Sequence, residues 1–150
     1  MKRALSRIGT VVVLSLVASL VLGAVAAEAG AKSLRRDQML ELMNAKREAR
    51  GIAPLDGSPR LRRYSRHHSG VMARRGYIFH TQNLANQLRD VHWSIAGENV
   101  GSGGDVDTLF KAFMDSVPHR KNILRKSFRH VGIGFVQRHG SLWVTMVFYG

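Results

Sequence analysis

The strongest constraint on this chain lies near its C-terminal end. Val131, Ile133 and Phe135 alternate with Gly132, Gly134 and Val136. After His139-Gly140, the residues Leu142, Val144, Met146 and Phe148 alternate with Trp143, Thr145, Val147 and Tyr149. A period of two is the pattern of a strand, and the dipeptide between the two runs reads as a hairpin turn. The second strand is apolar on both faces. It therefore predicts a central strand in a sheet covered by helices, which the rest of the chain has to supply.

Helical spacing precedes the hairpin. From Asp37, Leu40, Leu42, Met43 and Ala45 form a helical pattern that Gly51 ends. Ile52-Ala53-Pro54-Leu55 reads as extended, because Pro54 disfavours helix at Ala53. Ser58 followed by Pro59 is an N-cap with proline in the first turn, and predicts a helix to Arg75 that stops at Gly76. Its apolar face is Leu61, Tyr64, His68, Val71 and Met72, with Arg60, Arg63, His67 and Arg74 opposite. Leu84, Leu88 and Val91 suggest a shorter third helix, and Gly97 to Gly104 reads as a glycine-rich loop. Asp105 caps a fourth helix with the stripe Val106, Leu109, Phe110, Phe113 and Met114, ending before Pro118. Helices early and a hairpin late make the fold class α+β.

The first residues read as a secretory signal peptide. Lys2, Arg3 and Arg7 precede the apolar run Val11 to Leu22, and Ala27-Glu28-Ala29 offers a cleavage site. The expected organisation is a signal peptide over 1–29, a short basic tether over 30–36 and one domain over 37–150. The alternative is an uncleaved membrane anchor, since Ile8 to Ala27 carries no charge over a spanning length. Either way the domain is exported, to the cell envelope or beyond. Removing 1–29 leaves 20 Lys+Arg against 9 Asp+Glu, a net charge of +11. Such a charge attracts polyanions, and outside the cytoplasm these are anionic lipid or envelope polymer rather than a specific nucleic acid.

The chain has no cysteine, which excludes disulfides, thiol nucleophiles, zinc knuckles and iron–sulfur clusters together. It also lacks the phosphate-loop, H-E-x-x-H and G-x-S-x-G patterns. Histidines and carboxylates are left to carry any chemistry. His68 lies on an apolar stripe and reads as a hydrogen-bonded core residue, while His67 faces solvent. His92 and His139 occupy loop or turn contexts, and His130 starts a strand. His80 follows Tyr77-Ile78-Phe79, whose apolar side chains could hold its ring, and His119 follows Pro118. Spacing alone does not bring His80, Glu98 and His119 together.

A set of ordered blocks does. Met43-Asn44-x-x-Arg47-x-x-x-Gly51-Ile52-x-Pro54-Leu55, His68-Ser69-x-x-Met72-Ala73, His80 and Gly97-Glu98-Asn99-Val100 follow one another. Ser116-x-x-His119-Arg120-x-Asn122-Ile123-Leu124 and Phe128-x-His130-Val131-Gly132-Ile133-Gly134 complete the series. Together they resemble the CAP superfamily, which groups cysteine-rich secretory, antigen 5 and pathogenesis-related 1 proteins, in its bacterial cysteine-free branch. The resemblance implies an α/β/α sandwich with a small antiparallel sheet flanked by helices. It also implies a cleft with two histidines and two acids that hold a divalent metal in some members. Those positions map to His80, His119 and Glu98. The second acid is missing from its usual place, and Asp115, one position off, is the candidate fourth member. Asn44, Asn99 and Asn122 read as side chains that hydrogen-bond loop backbone.

Three functions follow as expectations. The first is an extracellular or envelope interaction module that binds a peptide or small lipid in the cleft. The second is a hydrolase in which His80 and His119 hold Zn²⁺ and Glu98 acts as the catalytic general base. The third is a binder of anionic lipid or polymer through Arg60, Arg62, Arg63 and Arg66 with Arg120, Lys121, Arg125 and Lys126.

Overall fold

The structure, a computed structural model, describes residues 6–150, with side chains from Ala27 onward. All but residues 27–29 of the predicted leader therefore lie outside the described side chains. Among the described residues no helix is long and apolar enough to cross a membrane. The chain divides into two units, Met1–Leu34 and Arg35–Gly150. In the first, Lys32 pairs with Glu28 one helical turn before it.

Helix α1 is Ser6–Glu48, and its last turns belong to the second unit. There Met39, Met43 and Arg47 are fully buried at spacings of four, while Ala45 faces solvent. The buried stripe is thus shifted from the predicted one, and it contains a charge. Gly51, at φ 62°, takes the left-handed turn that ends the helix. The Asn44 side chain then clamps Leu55, accepting from its N–H at 2.8 Å and donating to its carbonyl at 3.1 Å. This fixes the extended segment leading to β1 (Asp56–Gly57).

Helix α2 runs over Pro59–Arg75, as its caps foretell: Ser58 accepts from Leu61 N–H and Gly76 closes at φ 77°. The third helical pattern yields only one turn, α3 (Leu84–Gln87), with Leu88 buried just after it. The stretch read as a glycine-rich loop is a strand, β2 (Ala96–Gly103). Its glycines are there for clearance. A Cβ on Gly97 would meet Asn122 at 2.9 Å and Phe128 at 3.0 Å, and one on Gly101 would meet Phe113 at 2.8 Å. Helix α4 (Val106–Asp115) begins at the predicted Asp105 cap, and a further short helix, α5 (Val117–Ile123), follows. The hairpin is β3 (His130–Arg138) and β4 (Ser141–Tyr149), turning at His139 and Gly140, both at positive φ.

The strands order as β1-β3-β4-β2, so β4 is central and β2 is an edge. β2, β4 and β3 are antiparallel, whereas β1 pairs parallel to β3 through Asp56 and Gly57. The sheet is therefore mixed, because the clamped segment enters it alongside β3 and in the same direction. Side chains leave β4 alternately. Val147 packs with Leu61 of α2, while Val144, Met146 and Phe148 pack with residues of α1, α4 and α5. That alternation places α2, with the single turn of α3, on one face and α1, α4 and α5 on the opposite face, which gives the α/β/α layering.

On the α2 face, contact is made through small residues. Ser65 and Ser69 donate from their hydroxyls to the carbonyls of Gly132 and Gly134, each at 2.9 Å. These serines are buried deeper than the half-buried Tyr64 and Val71 of the predicted apolar face.

Candidate functional site

Edge strand β2 carries Glu98 on the same face as α2, since Gly97 and Asn99 turn toward α5. The Glu98 side chain is almost wholly buried, and three hydrogen bonds reach its two oxygens. Oε2 accepts from the Thr81 N–H and from His80 Nδ1–H, both at 2.9 Å, and Oε1 accepts from the Thr81 hydroxyl at 2.6 Å. Tyr64 of α2 then donates to the Thr81 hydroxyl. Burial, above all, pushes the Tyr64 phenol up; the Thr81 hydrogen bond opposes this and the charge of Glu98 adds to it.

This arrangement sets the orientation of His80. With Nδ1 bonded to a carboxylate, the neutral ring keeps its lone pair on Nε2, and the side chain is 61% exposed. The ring is held by Glu98, not by its neighbours Tyr77 and Ile78, which both face solvent. His68, by contrast, is buried and bonds the Phe79 carbonyl at 2.9 Å, the core role read from its stripe.

His119 comes from the other face of the sheet, on α5. Its Nδ1 pairs with the Ser116 hydroxyl at 2.9 Å, and its ring stands edge-on to Phe113 with centroids 5.2 Å apart. Ser116 occupies the N-cap of α5 but makes no capping bond with its side chain, which is given to His119. Asn99 donates to the His119 carbonyl at 3.1 Å, and Asn122 links Asn99 to the Glu98 carbonyl. All three motif asparagines thus bind backbone. Burial first, and then the neighbouring His80, lower the His119 pKa below its ordinary value.

That shift has a sign. An imidazole kept neutral in the fold lets the unfolded chain bind more protons below the ordinary histidine range. The contribution of His119 is therefore full above its unfolded pKa and is lost as pH falls through the folded one. In chelator-treated protein, the urea midpoint should fall more steeply between about pH 7 and pH 5 in the wild type than in His119→Gln. Equal slopes would show that His119 carries no such linkage.

The donor set bears on a metal. Among the described residues no three His, Asp or Glu side chains are grouped to hold one ion. Glu98 serves as the anchor of His80 and has both oxygens committed. Asp115 is turned away: it is exposed and pairs with Lys111 at 2.6 Å, one helical turn back. What remains is two imidazoles, each oriented through Nδ1, one by Glu98 and one by Ser116. Thr81 and Ser116 were not legible as site residues. The only sequence signal of Thr81 was adjacency to His80, while Ser116 opens the motif block that contains His119 but was given no role.

The basic residues also separate. Arg60, Arg62, Arg63 and Arg66 lie on α2, while Arg120, Lys121, Arg125 and Lys126 lie on or just after α5, on the other side of the sheet. They do not form the single patch expected from the sequence.

A family model described as CAP, cysteine-rich secretory protein family, matches residues 40–148. The uncharacterised protein YkwD of Bacillus subtilis is 34% identical, over 75% of this chain and 46% of YkwD. An extracellular protein containing an SCP domain from Bacillus anthracis superposes with a TM-score of 0.70 at 23% identity, covering 79% of this chain and 41% of that one. A cysteine-rich secretory protein from Staphylococcus aureus gives 0.67 at 24% identity, covering 79% and 38%. At these identities the structural likeness concerns the fold, and this chain spans less than half the length of each of these relatives.

Proposed function

This cysteine-free chain belongs to the CAP family of cysteine-rich secretory proteins, in its bacterial branch, and from that premise we propose that it is an exported interaction module whose ligand is taken at His80 and His119. The observation that carries this reading is the buried Glu98 carboxylate, which fixes His80 with Nε2 unpartnered beside a second oriented imidazole. Such a pair would hold a divalent ion, Zn²⁺ by ligand preference, which would supply a Lewis-acid centre for an anionic or carbonyl group of a ligand. Because the chain provides two ligands and not four, the ion is completed by what binds there. Exposed Val117 stands two residues before His119, and exposed Ile78 two before His80, which suits a ligand with an apolar body and a polar head, such as a peptide or small lipid. Export rests on the reading of residues 1–29 as a cleaved leader.

Metal-assisted hydrolysis is the weaker reading. A general base needs a free oxygen within reach of a water, and both Glu98 oxygens are already bonded to Thr81 and His80.

Titration calorimetry of the full chain with Zn²⁺ tests the proposal. We expect one saturable site per chain that disappears in His80→Ala/His119→Ala. Glu98→Gln should weaken it about 10–100-fold, since the ring loses its anchoring carboxylate. No saturable binding by the wild type, or binding unchanged in the double variant, would sink the reading.

A further inference from the structure

Helix α2 holds six arginines and no acid. The structure separates them into engaged and free. Arg60 pairs with Asp90 at the start of the helix, and Arg75 at its end lies over the Phe79 ring at 5.1 Å. Between them Arg62, Arg63, Arg66 and Arg74 are exposed, and among the described residues no carboxylate pairs with them. Arg62 and Arg66 are one step of four apart, a rise of about 6 Å, and Arg74 lies two such steps further on. The position between them is Gly70, where a Cβ would meet the Arg74 guanidinium at 3.4 Å, so Arg74 folds back into the row. The basic residues beyond α5 differ. Arg120 donates to the Met114 carbonyl, Arg125 covers the Phe128 ring, and Arg129 donates to the Lys126 carbonyl.

We propose that the outer ridge of α2 is a binding site for a single extended polyanion, a polymer whose phosphates repeat along one chain. A lipid surface suits this ridge less well. A helix that lies in a membrane interface points its apolar side at the lipid. Here Leu61, Met72 and Ala73 are buried against the sheet, and no large apolar side chain of α2 is exposed. The four arginines wind along one flank of a single rigid helix over about 18 Å, which suits a strand of charge that follows the helix better than a plane. Guanidinium is the suited group, since it offers paired donors to phosphate oxygens and keeps its charge at any relevant pH. The site is separate from the histidine pair, which lies at the β2 edge.

The test uses the full chain with long-chain inorganic polyphosphate as the probe. Four phosphate contacts give a slope of log affinity against log salt of about −2.8, so that affinity falls about 50-fold between about 50 and 200 mM salt. Arg62→Gln/Arg63→Gln/Arg66→Gln should reduce the slope to about −0.7 while the thermal melt stays unchanged. Lys46→Gln/Lys121→Gln/Lys126→Gln removes the same charge from the opposite layer and should leave the slope near the wild-type value. Equal losses in the two variants would reduce the effect to net charge and overturn the site. No association with polyphosphate overturns it as well. Binding to vesicles of phosphatidylglycerol and phosphatidylcholine in the absence of polyphosphate binding would assign the ridge to a membrane surface instead.

Discussion

Replacing Arg47 by methionine should cost the domain at least about 4 kcal/mol, lowering the urea midpoint without a change in slope. The Arg47 side chain is fully buried, and no carboxylate faces it. Its guanidinium instead collects backbone carbonyls: Nε donates to Ala53 at 2.8 Å, Nη1 to Ile123 at 2.8 Å and to Arg125 at 3.0 Å, and Nη2 to Phe128 at 2.9 Å. One side chain thus ties α1 to the segment before β1 and to the loop between α5 and β3. Burial and the nearby Arg129 lower its pKa, yet an arginine remains charged, so the carbonyl dipoles must do the work of a counter-ion. Methionine fills much of the volume but removes four hydrogen bonds from a charged donor, each contributing about 1.5–3 kcal/mol. It leaves the Ala53 and Ile123 carbonyls without their side-chain donor, while those of Arg125 and Phe128 keep the Phe128 N–H and the Arg129 side chain. Arg47→Lys should fall between, because one ammonium cannot reach acceptors fixed in the fork geometry of a guanidinium. A methionine variant within about 1 kcal/mol of wild type would show that water replaces the guanidinium.

Gly134→Ala should be at least as severe as a large core deletion, costing more than about 3 kcal/mol and lowering the melting temperature by more than about 10 °C. The added Cβ would lie 2.0 Å from the Arg66 nitrogen and 2.3 Å from the Ser65 carbonyl carbon. Both are backbone atoms of α2, so no rotamer change relieves the overlap. The helix has to lift, and lifting it breaks the Ser65 and Ser69 hydroxyl bonds to the β3 carbonyls. Gly132 faces the same helix, with Leu61 Cβ 2.3 Å from its hypothetical Cβ. Gly104→Ala is the control, because nothing lies within 4 Å of a Cβ there. Equal stabilities of the Gly134 and Gly104 variants would contradict direct packing of α2 on β3.

Local signals were readable where their chemistry is local. Ser58-Pro59 and Gly76 bounded α2, Asp105 opened α4, and His139-Gly140 turned the hairpin, since each acts on backbone within a few residues. The glycines of 97–104 misled for the same reason. Taken alone they signal a turn, but Gly97, Gly101 and Gly103 let Asn122, Phe128, Phe113 and Leu109 approach an edge strand. Likewise Ala45 looked like core and Met39 did not enter the pattern, because helical period tells which residues share a face and not which face is covered.

For the site, His80, Glu98 and His119 were named from ordered motif blocks and not from spacing. Nothing in their separation along the chain says that an edge strand meets one loop and a short helix. Their roles also changed with tertiary context. Glu98 reads as a ligand or base, yet Thr81 and His80 occupy it on arrival. Asp115 reads as a fourth ligand, yet the phase of α4 turns it toward Lys111. By itself, then, the sequence determined α2, α4, the hairpin, their caps and turn, and the centrality of β4, because period and capping are properties of neighbours. The tertiary structure alone decided that Arg47 is a buried hub, that the basic residues fall on two faces, and which histidine nitrogens are left to bind. Each of those depends on partners tens of residues away, and only packing selects them.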